Sequence, residues 1–216
     1  GGSSGRTTDT ISGSISMCVN GSGLKQTLHI FYSDSTEKDL RYAAYNGKSF
    51  AIEVVDGNGP AVNEYEDPIR VRTSSDVSVA NACVATASAV QVFYRDETQG
   101  VLLGAVKAKT SPWKYELIDG DRKTEGRTTG DVGFHLQAIY VGTKLYVAYD
   151  SVVSMNLKKE ITSGAIRIAT RTGTDPTAWI YQTLDISTEE ASVFGFDIAL
   201  ANVYGDVMAT WLAAST

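Results

Sequence analysis

The chain has 216 residues, 43% hydrophobic and 20% charged, a balance typical of a folded globular chain rather than a disordered one. Its formal net charge of −6 and pI near 4.9 argue against nucleic acid as a partner, because phosphate-tracking surfaces need clustered Lys and Arg. No apolar run reaches the roughly 18 residues that a spanning helix requires, so no membrane span is expected.

Gly1-Gly2-Ser3-Ser4-Gly5 reads as a linker, and residues 1–8 are expected to form a flexible segment ahead of one domain over 9–216. A first strand is expected over Ser14 to Val19 and a second over Leu28-His29-Ile30-Phe31-Tyr32, which alternates apolar positions and ends in a turn with Asp34. A third follows at Leu40-Arg41-Tyr42-Ala43, and a fourth runs from Phe50 to Asp56.

The same order then returns. Val77 to Ala85, Val90 to Tyr94 with Asp96, Leu102 to Ala105 and Trp113 to Asp119 form a second set. Phe134 to Val141, Leu145 to Tyr149 with Asp150, Ile166 to Ala169 and Trp179 to Asp185 form a third. A fourth begins at Phe196 to Leu200 and reaches Trp211. Successive Tyr positions are 62 and 55 residues apart, and Trp211 follows Tyr149 by 62. In three of the repeats an aromatic precedes an Asp by six positions: Phe50 and Asp56, Trp113 and Asp119, Trp179 and Asp185.

Four strands per repeat at this spacing predict an all-β fold, a β-propeller whose blades bury their apolar faces only against neighbouring blades. The repeats fall at about 9–59, 60–126, 127–192 and 193–216, giving three complete blades plus half of a fourth. An unfinished blade exposes a sheet edge. Another chain, such as a second copy, or the rest of a longer chain is therefore expected to complete the ring. The repeats exceed the roughly 40–50 residues of an ordinary blade. Their surplus is placed in connections at Gly57 to Asp76, Gly120 to Asp131 and Ser151 to Gly164.

Repeated residues usually maintain stacking. The aromatics are therefore read as plugs between blades, and the aspartates as turn residues that accept backbone N–H bonds. Cys18 and Cys83 fall in the first strands of their repeats and are read as free buried cysteines. A disulfide would need their Cα atoms within about 7 Å. Asn20-Gly21-Ser22 matches a glycosylation acceptor and equally a hairpin turn.

A binding reading attaches to the third and fourth strands. Arg41 and Arg167 offer planar donor forks, Glu53 and Glu116 offer acceptors, and Trp113 and Trp179 offer faces for the apolar side of a sugar. Tyr65 joins them from the loop Asn63-Glu64-Tyr65-Glu66-Asp67-Pro68. The plainer reading of the same residues is a set of cross-strand Arg–Glu pairs on an exposed face.

His29 and His135 lack metal-ligand spacing and are read as core or surface residues. No nucleophile elbow, Walker loop or dinucleotide fingerprint occurs. No cofactor is expected. Asp56-Gly57-Asn58 and Asp119-Gly120-Asp121 have oxygen ligands suited to calcium but lack a closing bidentate Glu, so a polar turn is the preferred reading.

Val90-Gln91-Val92-Phe93-Tyr94-Arg95-Asp96 and Leu40-Arg41-Tyr42-Ala43 resemble secreted β-propellers, among them fucose-binding lectins and sialidase-like propellers. In the fucose lectins an Arg-Glu pair follows the apolar residue of the third strand. Arg41 and Arg167 match that Arg, while Tyr42 and Ile168 stand in place of Glu and the middle repeat has Leu103-Gly104. Thr174-Asp175-Pro176-Thr177-Ala178-Trp179 partly matches the sialidase box Ser-x-Asp-x-Gly-x-Thr-Trp. The resemblance implies a noncatalytic extracellular or cell-surface propeller that binds a glycan or glycoprotein. The alternatives are a propeller-type glycoside hydrolase or lyase, and a protein-binding scaffold.

Overall fold

The computed structural model describes residues 6–62, 65, 69–108, 111–187 and 192–215. Five residues of the expected flexible segment, and every residue of the 63–68 loop except Tyr65, lie outside that set. Among the described residues the fold is all-β, with a single 3₁₀ turn at Gly23–Lys25.

Blade 1 consists of β1 (Ile11–Asn20), β2 (Thr27–Asp34), β3 (Asp39–Tyr45) and β4 (Phe50–Asp56), paired antiparallel in chain order. A two-residue strand, β5 (Ile69–Arg70), follows within the first long connection. Blade 2 consists of β6 (Asn81–Ala85), β7 (Ala89–Asp96), β8 (Val101–Ala108) and β9 (Lys114–Asp119), with β5 added along β9. Blade 3 consists of β10 (Val132–Val141), β11 (Lys144–Met155), β12 (Ile161–Thr172) and β13 (Ile180–Ile186). The fourth repeat supplies one hairpin, β14 (Ser192–Val203) and β15 (Asp206–Ser215), joined to blade 3 by a parallel bridge between Ser163 and Ser192. These four-stranded antiparallel sheets, followed by half of another, are the blades of a partial propeller.

Two of the predicted connections turn out differently. Most of Ser151 to Gly164 is hairpin: β11 runs on to Met155 and β12 starts at Ile161, leaving the turn to Asn156–Glu160. Gly57 to Asp76 contributes β5, which covers the edge of β9 and leaves fewer unpaired strand groups there.

The chain divides into two compact units, 1–99 with 103–117 and 100–102 with 118–216. The first contains the joint between blades 1 and 2, and the second contains the end of β9 with blade 3 and the β14–β15 hairpin. In the first unit, β1 packs on β6. Ser14 and Ser16 bond to Asn81, and Cys18 is disulfide-bonded to Cys83 with Cα atoms 5.9 Å apart. This corrects the free-cysteine reading. Stacking two first strands side by side brings residues 65 apart in sequence within bonding distance, a proximity that neither strand's own sequence encodes.

The repeated aspartates close the joints. The fully buried Asp56 accepts the Gly57 and Thr73 amides at 3.0 and 2.7 Å on one oxygen and the Tyr94 hydroxyl at 2.7 Å on the other. In the second unit Asp119 accepts the Gly120 and Thr128 amides at 2.7 and 2.6 Å, the Tyr149 hydroxyl at 2.6 Å and Arg167 Nε at 3.1 Å. The aspartate ending one blade thus receives the tyrosine of the next. Tyr115 and Tyr181 add bonds to the carbonyls of Val55 and Ile118, one residue before each aspartate.

Gly57 and Gly120 follow these aspartates at φ +106° and +108°, a region that favours glycine. A Cβ at Gly57 would also come within 2.8 Å of the Asp39 Cα. The third aspartate, Asp185, is followed by Ile186, and its counterpart position carries Trp211, which has no hydroxyl. Trp211 packs instead with Tyr146, Leu184 and Leu200 around Ile166, Ile168 and Ile198, so the last joint is apolar.

Candidate functional site

Because β7 is buried from Val90 to Asp96, most of the first joint is solid, with both faces of that strand covered. Near the hairpin end it opens into a cavity of about 350 Å³ between blades 1 and 2. Its wall on blade 1 comes from Asn20, Thr27, His29, Tyr42 and Ala44, and its wall on blade 2 from residues 87–90 and Lys107.

His29 is 6% exposed, held in place by β2, whose alternation turns it to the same face as the fully buried Phe31. Its Nδ1 lies 2.6 Å from the Tyr42 hydroxyl across the β2–β3 hairpin, and the two rings stack 5.8 Å apart. Nε2 is buried and has no hydrogen-bond partner among the described residues. Burial lowers the imidazole pKa, keeping the ring neutral. Burial, and secondarily the nearby Glu53 charge, pushes the Tyr42 hydroxyl up to about 12, so it stays protonated. Whichever of the two donates to the other, one ring nitrogen of His29 is spent on Tyr42, and the other is buried in a ring that lines the cavity. An unpaired buried polar group costs about 1–3 kcal/mol.

Behind this pair stands an aromatic group. Trp113 meets Tyr42 edge-on at 5.3 Å and Phe31 at 5.9 Å, joining blade 2 to blade 1. Lys107 Nζ lies over the Trp113 ring at 5.4 Å and pairs with Glu53. The cavity therefore combines an imidazole edge, an ammonium, the Ser88 hydroxyl and an aromatic wall. Asn20 faces it too, although its amide donates to the Thr86 carbonyl at 3.1 Å.

Of the residues singled out by sequence, Glu53 and Trp113 both meet Lys107, although neither lines the cavity. The other five do not join them. Arg41 bonds to Asp34 at 2.9 Å and lies 3.7 Å from Asp39. Arg167 is spent on Asp119, Thr183 and the Gly126 carbonyl. Tyr65 is buried and donates to Asp96, fastening the first long connection to blade 2. Glu116 is buried in β9, and Trp179 is buried beneath the Arg171 guanidinium at 4.3 Å.

The expected Arg–Glu pairs do not form, because the hairpin register places Arg41 opposite Val54 and Arg167 opposite Thr183. Glu53 sits opposite Tyr42 and Gln182 opposite Ile168, so each lies on the other face from the arginine. As for the aromatic plugs, Trp113 fills that role. Phe50 does not, being half-exposed and packed on Tyr45 at 4.7 Å.

Sequence reasoning passed over His29, Tyr42 and Lys107. A lone histidine has no spacing signal. Its partner Tyr42 lies 13 residues on, across a hairpin. The usable clue was an ionisable residue inside the apolar run Leu28 to Tyr32, an expensive position unless it has work to do.

No family model matches the chain, and no curated protein does. Among solved structures, a fungal lectin from Aleuria aurantia, described as a six-bladed β-propeller with a novel fucose recognition mode, is similar at TM-score 0.49 and 12% identity, over 92% of this chain and 54% of that one. A second structure of the Aleuria aurantia fucose-specific lectin aligns at TM-score 0.46 and 12% identity over 94% and 64%. The phage phi92 endosialidase aligns at 0.48 and 12% over 79% and 25%. The chain spans about half the length of the first of these and a quarter of the endosialidase.

Proposed function

We propose that the chain is a noncatalytic binding module of the extracellular space or cell surface, and that it takes a carbohydrate in the cavity between blades 1 and 2. The observation that carries this reading is the cavity's lining, which joins the His29 imidazole and Tyr42 ring of blade 1 to Ser88 and Lys107 of blade 2. A sugar offers hydroxyls to such groups and a C–H face to an aromatic wall. The Cys18–Cys83 disulfide supports an oxidising location, where such bonds persist. None of the residues lining the cavity carries a carboxylate, the group that glycoside cleavage uses in pairs, and this favours binding over turnover. The two compact units are proposed to act as one propeller domain, with a glycan or glycoprotein as partner.

A glycan array followed by calorimetric titration tests the proposal. The expected result is binding without turnover, weakened at least about tenfold by His29→Phe or Lys107→Met, the equivalent of about 1.4 kcal/mol. Undiminished binding in both variants contradicts the site. Turnover that is lost on changing a single acid supports the hydrolase or lyase reading instead. Silence on the array together with capture of a defined protein partner supports the scaffold reading.

A further inference from the structure

Asn20-Gly21-Ser22 lies where β1 ends and an exposed connection begins. Asn20 is the last residue of β1 and pairs with Thr27, so the chain takes the residues from Gly21 to Gln26 to reach β2 and does not make a two-residue hairpin. Gly21, Ser22 and Gly23 are all exposed. No other asparagine of the chain has Ser or Thr two positions on.

The fold accounts for two of the three residues. Gly21 stands at φ +84°, a region that favours glycine, and a Cβ there would come within 2.3 Å of the Lys25 carbonyl oxygen. Asn20 is partly buried, and its Nδ2 donates to the Thr86 carbonyl at 3.1 Å. Ser22 precedes the 3₁₀ turn, where a serine hydroxyl ordinarily caps the turn's free amides. Its hydroxyl makes no capping bond, and the Lys25 amide donates to the Ser22 backbone carbonyl at 3.2 Å. The hydroxyl left over is the group that the Asn-x-Ser acceptor pattern requires. Two residues upstream, Cys18 is bonded to Cys83, a bond of oxidising compartments such as the secretory lumen.

We propose that Asn20 is an N-glycosylation site; the proposal rests on the extracellular location put forward above. The donor class is an oligosaccharide carried on a lipid diphosphate. Asn20 Nδ2 attacks the anomeric carbon of its first sugar, the bond from that carbon to the diphosphate oxygen breaks, the lipid diphosphate leaves, and Nδ2 gives up one proton. The second Nδ2 hydrogen stays available for the bond to Thr86. Because Asn20 lines the cavity between blades 1 and 2, the glycan starts at the rim of that cavity and not on a remote face.

Secretion of the full chain from cultured animal cells, followed by mass spectrometry of the Asn20 peptide before and after enzymatic deglycosylation, tests this without need of a ligand. Wild type and Ser22→Thr are expected to carry a glycan on Asn20, and Ser22→Ala is expected to lose it entirely. Ser22 is exposed, and unchanged circular dichroism confirms that the variants fold. Lys158→Thr gives Asn156, in the exposed β11–β12 turn, the same acceptor pattern and reports whether the chain meets the transferase. A bare Asn20 in secreted wild type and Ser22→Thr, with Asn156 glycosylated in Lys158→Thr, overturns the proposal and leaves the location and the cavity reading standing. Free thiols at Cys18 and Cys83 in the secreted chain, with Asn20 bare, overturn it together with the location on which it rests.

Discussion

At the residue scale, the buried carboxylates carry the joints. Tyr94→Phe leaves one Asp56 oxygen short of its hydroxyl donor and is expected to cost about 1–3 kcal/mol in urea unfolding, with Tyr149→Phe costing less because Arg167 still donates to the same Asp119 oxygen. A change below about 0.5 kcal/mol, the size of an ordinary surface substitution, would contradict the role given to this bond. Asp39 titrates against the fold. Burial raises its carboxyl to about 6 from an ordinary 3.8, despite Arg41 nearby. The folded state therefore binds its proton more tightly than the unfolded chain, and the resulting stability is full below 3.8 and lost as pH rises through about 6. Asp39→Asn is expected to flatten that decline in melting temperature, and a variant profile running parallel to wild type would count against it. His29 acts in the opposite sense: its lowered pKa gives stability above the ordinary 6.5 that is lost as pH falls below it.

At the scale of elements, the strands were legible because apolar alternation and turn aspartates recur at local spacing. Leu28 to Tyr32, Val90 to Tyr94 and Leu145 to Tyr149 all lie within strands. Connections between elements were less legible. Asp56 and Tyr94 were both visible as repeat residues, yet their bond spans 38 positions and joins separate sheets. The same holds for Cys18 and Cys83, which only the stacking of β1 on β6 brings together. Arg41 and Glu53 were placed on one face, whereas the β3–β4 hairpin register sets Arg41 opposite Val54 and Glu53 opposite Tyr42, on the other face. The disulfide closes a long loop in the unfolded chain, so the Cys18→Ser, Cys83→Ser double variant is expected to lose about 4 kcal/mol, seen as a lowered urea midpoint. Equal midpoints for that variant and wild type would remove the bond from the account of the first joint.

At the scale of the whole molecule, the repeat supplies joints between blades, and the cavity lies where the joint of blades 1 and 2 is left incompletely filled. Trp113, Tyr42 and Phe31 form its aromatic backing, and His29 and Lys107 are the ionisable residues in its lining. The proposed site makes the His29 imidazole a point of contact with ligand. Long-range proton–nitrogen NMR on the imidazoles, recorded while the glycan selected by the array is titrated in, measures this directly. The account predicts that the His29 Nε2 resonance moves to saturation with the binding isotherm while that of His135, held by Asp150 in blade 3, stays in place. A ligand that saturates the protein and leaves the His29 resonance unmoved would contradict it.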